Sequence, residues 1–192
     1  MPQPYAGVPT CHPYVIHSVN AHGNTGLHIA ALHGRLDIFK FLIEELHLDP
    51  LLRGQYGRNS FVLACSWGKT DIIKYLSERF PSIVARGING FDKHGKNGLD
   101  LAAQNGHLET FVFLIDELHI DPGFLRNRQN PDGFSLACGN GKVHIVNFYA
   151  RRFPRRFKVI IKRIPRRNNN QQCSLKKIRR NRICCDLSKH LN

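Results

Sequence analysis

The apolar and polar positions of this chain follow a pattern that recurs four times between residues 25 and 153. Each copy opens with a short polar residue, runs through small and apolar residues to a glycine, and ends in a second apolar stretch. The copies begin 34, 38 and 35 residues apart, which is typical of a repeat array. They are TGLHIAALHGRLDIFKFLIEEL from residue 25, NSFVLACSWGKTDIIKYLSERF from 59, NGLDLAAQNGHLETFVFLIDEL from 97 and DGFSLACGNGKVHIVNFYARRF from 132.

Two columns of this alignment predict a first helix of about two turns in every copy. The opening residues have short side chains that accept hydrogen bonds from the free N–H groups at a helix start. The glycines nine positions later adopt cheaply the left-handed conformation at which helices end. The predicted caps are Thr25, Asn59, Asn97 and Asp132, and the predicted stops are Gly34, Gly68, Gly106 and Gly141.

Small residues fill the middle of each first helix, where they let a neighbouring helix approach closely. Cys65 and Cys138 fall in these columns, which favours small core residues over nucleophiles. The pairs are Ala30 and Ala31, Ala64 and Cys65, Ala102 and Ala103, and Ala137 and Cys138.

A second helix follows each glycine, and its apolar residues have the spacing of one buried face. In the first copy this face is predicted from Ile38, Phe39, Leu42, Ile43 and Leu46. Each copy is therefore a helical hairpin that is too small to bury its apolar face alone. About three such units have to stack before an array is stable, and four are present.

One phrase occurs twice, as LIEELHLDP from residue 42 and LIDELHIDP from residue 114, 72 residues apart. The second and fourth copies end differently, in ERFP and RRFP, so the duplicated element is a pair of units. His47 and His119 recur because they belong to the phrase. Their place at the end of a second helix, near free carbonyls, favours a structural role over metal binding.

These residues resemble the ankyrin repeat family, whose units open with threonine, proline, leucine and histidine, followed by paired alanines and a glycine. The match is clearest in TGLHIAALHGRLDIFKFLI and extends over residues 23–154 at the period of the family. The usual proline is replaced by glycine or serine, and the histidine survives only as His28. The resemblance implies an all-α solenoid of about four helix-turn-helix units, with connecting loops or hairpins.

The predicted organisation has three parts. Residues 1–22 form an N-terminal segment with a candidate remnant of an earlier unit, residues 23–154 form the array, and residues 155–192 form a basic tail. The predicted units are 23–56, 57–92, 93–128 and 129–154.

The resemblance further implies a non-catalytic module that binds a protein partner through its concave face and loop tips. The candidate contacts are the pairs before each glycine, which vary while their flanks do not, and residues of the connections between units. From the pairs these are Leu32, His33, Ser66, Trp67, Gln104, Asn105 and Asn140, and from the connections Tyr56, Arg58, Phe91, Arg126 and Arg128, beside Arg53, Lys93 and His94.

Two of these candidates have competing interpretations. Trp67 is the single tryptophan of the chain, and tryptophan is enriched at binding hot spots. The alternative is that its ring covers a neighbouring helix end. The connection before residue 97 is the longest, which is expected either of a binding loop or of a tolerated surface insertion.

Charge separates the tail from the array. Residues 155–192 contain 13 Lys and Arg against one acidic residue, whereas residues 1–154 contain 15 against 13. A dense basic cluster in the tail predicts contact with a nuclear import receptor or with nucleic acid. The cluster comprises Lys176, Lys177, Arg179, Arg180 and Arg182.

Three other interpretations of the tail stay open. The stretch RRFKVIIKRI from residue 155 is bracketed by Pro154 and Pro165 and fits a cap on the last unit. The tail also fits a merely solvated segment. Lastly, the tail fits an extension that is not under selection and that follows a truncated coding region. In that case the repeat array continues in a longer parent protein.

The sequence offers no motif for catalysis or for a cofactor. No glycine-rich phosphate loop or nucleophile elbow is present. Cys173, Cys184, Cys185 and His190 lack the paired spacing of a zinc site. No apolar run approaches a membrane span, and the first residues lack the features of a signal peptide. We expect a monomer without a metal, in the cytoplasm or the nucleus.

Overall fold

The structure, a computed structural model, describes residues 18–88, 90–122 and 132–157. Within these ranges all regular elements are helical. Residues 154–157 are also helical, and Gln55–Gly57 form a short turn. The α-helices are α1 Gly26–His33, α2 Leu36–Glu44, α3 Ser60–Ser66, α4 Thr70–Arg79, α5 Pro81–Ile88, α6 Gly98–Asn105, α7 Leu108–Asp116, α8 Gly133–Gly139 and α9 Val143–Arg152.

The helices pair into four hairpins that stack side by side. Each first helix packs on its own second helix, and the first helices α1, α3, α6 and α8 contact one another in that order. The second helices α2, α4, α7 and α9 form the other layer in the same order. This two-layer stack confirms the predicted all-α ankyrin repeat solenoid.

The predicted starts and ends of the four first helices are confirmed. All four predicted caps occupy the position just before a first helix, and all four predicted stops have positive φ, between 67° and 86°. Three caps accept a hydrogen bond from the N–H group three residues on: Asn59 from Val62 at 2.8 Å, Asn97 from Asp100 at 2.9 Å and Asp132 from Ser135 at 2.7 Å.

The small residues lie where neighbouring first helices meet, and all eight are buried. A Cβ added to Gly98 would lie 2.8 Å from Cys65 Sγ, and one added to Gly133 would lie 3.2 Å from Ala103 Cβ. Glycine in place of the usual proline therefore permits a close approach between units. Burial raises the pKa of Cys65 well above its usual range and that of Cys138 to about 12, as expected of core thiols.

The prediction that Ile38 belongs to the buried face is wrong, because 54% of it is exposed. Its counterparts in later units, Ile72, Thr110 and Ile145, are all buried. Thr110 meets Thr70 of the preceding second helix at 2.8 Å between hydroxyl oxygens. The described residues contain no second helix of an earlier unit that could cover Ile38 in this way. Phe39 and Ile43 are buried as predicted, and Leu42 and Leu46 are half-buried.

The sequence pattern missed α5, which fills much of the long connection. Val84 of α5 is buried, and a Cβ on Gly87 would touch Phe61 at 3.4 Å. Residues 154–157 begin at the proline of RRFP, as α5 begins at the proline of ERFP, and Phe157 packs edge-on against Phe134 with ring centroids 5.7 Å apart. The first residues of the predicted tail therefore pack against unit four, as α5 packs against unit two.

Several predicted features lie outside the described residues. They include the N-terminal segment up to residue 17, Arg126 and Arg128, and the basic cluster from Lys176 to Arg182. The domain limits and the role of the tail stay predictions.

Replacing Gly106 by alanine is expected to lower the free energy of unfolding by roughly 1–2 kcal/mol. The backbone there has φ 86°, and an added Cβ would lie 2.7 Å from Lys142 Cδ. The control Gly139→Ala lies in α8 with open space around it, so it should leave stability unchanged or raise it by up to about 1 kcal/mol. Urea unfolding of both variants measures this, and equal losses would contradict the explanation.

Candidate functional site

The predicted contact pairs lie at the ends of the first helices. Four of the described candidates there are exposed, two are half-buried and one is buried. The exposed ones are His33, Trp67, Asn105 and Asn140, the half-buried ones Leu32 and Gln104, and the buried one Ser66.

Ser66 was expected to be exposed, and this prediction is wrong, since only 4% of it is accessible. Its carbonyl oxygen lies 2.7 Å from Nδ2 of Asn105, which donates to it, and 3.0 Å from Nε2 of His107. Ser66 is therefore part of the contact between units two and three. Sequence spacing placed it beside Trp67 but did not reveal that the next unit covers it.

Trp67 is the largest side chain of these pairs and is 51% exposed. It caps the end of α3, between Ser66 and the left-handed Gly68. Half of its surface thus remains accessible to a partner. Its binding role stays a prediction.

Basic side chains from each following unit cover the helix-ending glycines beside these pairs. Cβ atoms added to Gly34, Gly68 and Gly106 would lie within 2.8 Å of Lys69, His107 and Lys142 respectively. Burial lowers the pKa of His107, and the nearby Lys142 and Lys69 add to this effect. This edge of the array is therefore tightly built, and it holds the contact pairs in register from unit to unit.

The connections between units form the second candidate surface, and Tyr56 lies at its tip. The Arg58 N–H donates to the Gln55 carbonyl at 3.2 Å, with positive φ at both central residues, Tyr56 (58°) and Gly57 (70°). This is the geometry of a tight hairpin turn. A left-handed tyrosine costs roughly 1 kcal/mol, which the surrounding contacts have to offset.

Asp92 joins this turn to the next connection. Its Oδ1 accepts the N–H groups of His94 and Lys96, both at 2.9 Å, and its Oδ2 accepts Nε and Nη2 of Arg58 at 3.1 and 2.9 Å. Burial acts to raise the pKa of this carboxyl, but the N–H donors and Arg58 outweigh it and hold the pKa below the ordinary value. The side chain of Asp92 is fully buried, and its ion pair with Arg58 neutralises its charge between the two connections.

Two further bonds fix the tips together. The Lys93 N–H donates to the Tyr56 carbonyl at 2.8 Å, and Nη1 of Arg53 donates to the carbonyls of Gly57 at 3.1 Å and Phe91 at 2.8 Å. The first two connections therefore behave as one surface. We call Arg53, Tyr56, Arg58, Lys93 and His94 the tip cluster.

Two cations and a histidine ring lie close to the Tyr56 ring. Lys93 Nζ lies 4.4 Å and Arg58 Cζ 5.3 Å from its centroid, and the His94 ring centroid is 6.0 Å away. Such contacts stabilise a partly exposed ring by about 0.5–1 kcal/mol each. The sequence analysis selected Tyr56 and Arg58 but missed Asp92. The sequence marks Asp92 only by its place in a loop, three residues before a glycine.

His28 supports the tip from inside the first unit. Its Nδ1 lies 3.2 Å from the Thr25 N–H nitrogen and 2.7 Å from Thr25 Oγ1, and its Nε2 lies 2.9 Å from the Leu52 carbonyl. A neutral ring that accepts at Nδ1 and donates at Nε2 satisfies these contacts. The histidine thereby ties the start of α1 to the connection that carries Tyr56.

Within the described ranges, no three His, Cys, Asp or Glu side chains converge as a metal site would require. In the same residues, no helix is long and apolar enough to cross a bilayer.

Comparison with known proteins supports the architecture. Residues 27–125 match the family model described as ankyrin repeats in three copies. The chain is similar to a chain in the crystal structure of the yeast ribosomal protein Rps3 with its chaperone Yar1, with a TM-score of 0.58 and 23% identity over 67% of this chain and 91% of that one. At this identity the likeness concerns the fold alone.

Two curated relatives share part of the sequence. The mouse serine/threonine-protein kinase TNNI3K is 29% identical over 102 residues, which are 52% of this chain and 12% of the kinase. The Arabidopsis thaliana ankyrin repeat-containing protein At5g02620 is 32% identical over 100 residues, 48% of this chain and 18% of that protein. The matches thus span less than a fifth of either relative.

Thermal stability is expected to fall as the pH drops below 6.5, the ordinary pKa of histidine. Burial lowers the pKa of His28, so below 6.5 the unfolded chain takes up a proton that the folded chain does not. The contribution of His28 to stability is therefore fully present above pH 6.5. It is lost as the pH falls from 6.5 towards the lower pKa that His28 has in the folded protein. Thermal melts between about pH 7.5 and 5.5 measure this.

His28→Asn should flatten this dependence, because the titrating ring is gone. A residual slope should remain from His107, whose pKa burial also lowers. At pH 7.5 the variant should be less stable by about 1–3 kcal/mol, since buried partners of the ring lose their hydrogen bonds. His22→Asn, at an exposed position, is the control. If His28→Asn kept the full slope, His28 would not be its source.

Proposed function

The chain belongs to the ankyrin repeat family, and we propose that it is a non-catalytic module that binds a partner protein through the ends of its first helices and its loop tips. An array of this kind is a protein-interaction module. A stack of rigid hairpins presents a continuous surface whose exposed side chains vary without disturbing the core. We place the partner contacts on that surface at the ends of the first helices and at the loop tips.

One observation carries the proposal. The buried small-residue columns contain only alanine or cysteine in all four units, whereas the exposed positions before the glycines are His33, Trp67, Asn105 and Asn140. A half-exposed tryptophan at one of these positions exposes a large apolar area that a binding partner would bury. Its neighbours along the same edge are polar, which suits the rim of such a contact.

The comparisons support this use of the fold. The yeast structure contains a chain of this fold in an assembly of two proteins. The similarity to the kinase covers only 12% of its length, so kinase activity is not part of the proposal.

Trp67→Ala together with His33→Ala should weaken capture of the partner by about tenfold or more, as expected for a hot spot. The protein would be immobilised as the full chain, and bound proteins would be identified by mass spectrometry and quantified. Phe41→Ala is the matched control, because this aromatic residue is 55% exposed on a second helix. Equal capture by the double variant and the wild type would refute the assignment of the site.

A second proposal concerns the basic residues beyond the array. The imbalance of 13 Lys and Arg against one acidic residue in 155–192 favours contact with nucleic acid or an import receptor. Either contact would be compatible with a cytoplasmic or nuclear address.

Neutralising the basic cluster should reduce both RNA affinity and its dependence on salt. Each lost phosphate contact is expected to reduce the slope of log K against log salt by about 1. A matched control removes five other charges of the tail, at Lys158, Lys162, Arg163, Arg166 and Arg167. Anisotropy of a labelled single-stranded RNA measures both. Equal effects of the two sets would refute a specific role for the cluster formed by Lys176, Lys177, Arg179, Arg180 and Arg182.

A further inference from the structure

The tip cluster combines positive charge with a near absence of exposed acid. Residues 53–58 and 91–96 contain four Lys and Arg and a single acidic residue, Asp92. Because Asp92 is buried and paired with Arg58, it does not offset the charge of the exposed Arg53 and Lys93. This part of the surface therefore presents net positive charge to the solvent.

The donors of the cluster are held in fixed positions. Nη1 of Arg53 donates one hydrogen bond to the carbonyl of Gly57 and one to the carbonyl of Phe91. Within the described residues this leaves Nε and Nη2 of Arg53 to bind a carboxylate, which matches the fork of a guanidinium. Lys93 is anchored by its backbone to Tyr56 and by its ammonium group to the ring. Pre-positioned cations lose less entropy on binding than mobile ones.

The strained backbone of Tyr56 points to the same surface. An asparagine or glycine would adopt φ 58° more readily than a tyrosine, yet the tyrosine occupies the turn and is 42% exposed. Residues held in such strained conformations cluster at binding and active sites. The cationic groups of Arg58 and Lys93 lie over the Tyr56 ring.

From these observations we propose that the tip cluster binds an acidic peptide segment, with Arg53 and Lys93 as carboxylate partners and Tyr56 as the apolar contact between them. A nucleic acid fits less well. Stacking a base needs an open ring face, and Arg58, Lys93 and His94 already lie against the Tyr56 ring. The inference deepens the proposed function, since it names the chemistry of the partner segment.

The test uses the full chain and a labelled peptide of about twelve residues that alternates glutamate with glycine, with anisotropy measured at low and moderate salt. Lys93→Gln should weaken peptide binding by about threefold or more, and Arg53→Gln with Lys93→Gln by about tenfold. Tyr56→Asn, which tolerates the left-handed turn, should weaken it without loss of thermal stability. Arg35→Gln with Arg151→Gln is the control, because it removes two exposed charges elsewhere.

Carbodiimide coupling of the bound peptide then locates it, since it joins carboxylates to lysine amines in direct contact. Coupling at Lys93 is expected. Coupling confined to lysines beyond residue 157, or equal affinity of the tip and control variants, would overturn the inference. A third outcome would also overturn it: a labelled oligothymidylate binds the wild type more tightly than the peptide does, and the tip variants weaken its binding more than they weaken peptide binding.

These outcomes are separate from those for the proposed function. Peptide binding is measured without the natural partner, so a failure to capture a partner through Trp67 leaves this result standing. Conversely, a partner that is captured normally by the Arg53 and Lys93 variants would refute the acidic-segment inference alone.

Discussion

Close contact between neighbouring first helices is the constraint on which the rest of this structure depends. Eight small residues lie along that contact, and an added Cβ would lie only 2.8 Å from Cys65 Sγ at Gly98 and 3.2 Å from Ala103 Cβ at Gly133. A hairpin of two short helices has no interior of its own, so burial has to come from its neighbours. Larger side chains at these positions would separate the units and expose the apolar faces of all four.

The same dependence explains the differences between units. Ile72, Thr110 and Ile145 are buried because a preceding second helix covers them, whereas Ile38 has no such helix before it in the described residues. Units two and four gain additional contact from the helical segment that begins at the proline of ERFP or RRFP, through Val84 and Phe157. The duplicated block of 72 residues thus carries two hairpins and an extra helical segment.

How much the sequence predicted depended on whether a feature is set within one unit or between units. The caps and the helix-ending glycines are local, so residue type alone located them. The alignment of the copies also identified Cys65 and Cys138 as core residues. By contrast, the burial of Ser66 results from Asn105 and His107 of the next unit, and among the described residues Ile38 has no second helix of an earlier unit to cover it. Position within a unit carries no information about either.

The tip cluster shows how a contact between units also shapes a binding surface. Asp92 accepts four hydrogen bonds, two from its own turn and two from Arg58 of the preceding connection. The bonds that fix the geometry of the tips therefore also neutralise the one acid among them, which leaves Arg53 and Lys93 to dominate the exposed charge. Since Lys93 is in addition bonded through its backbone to Tyr56, the cations cannot spread apart without breaking the joint. Rigidity and positive charge at the tips consequently have the same origin.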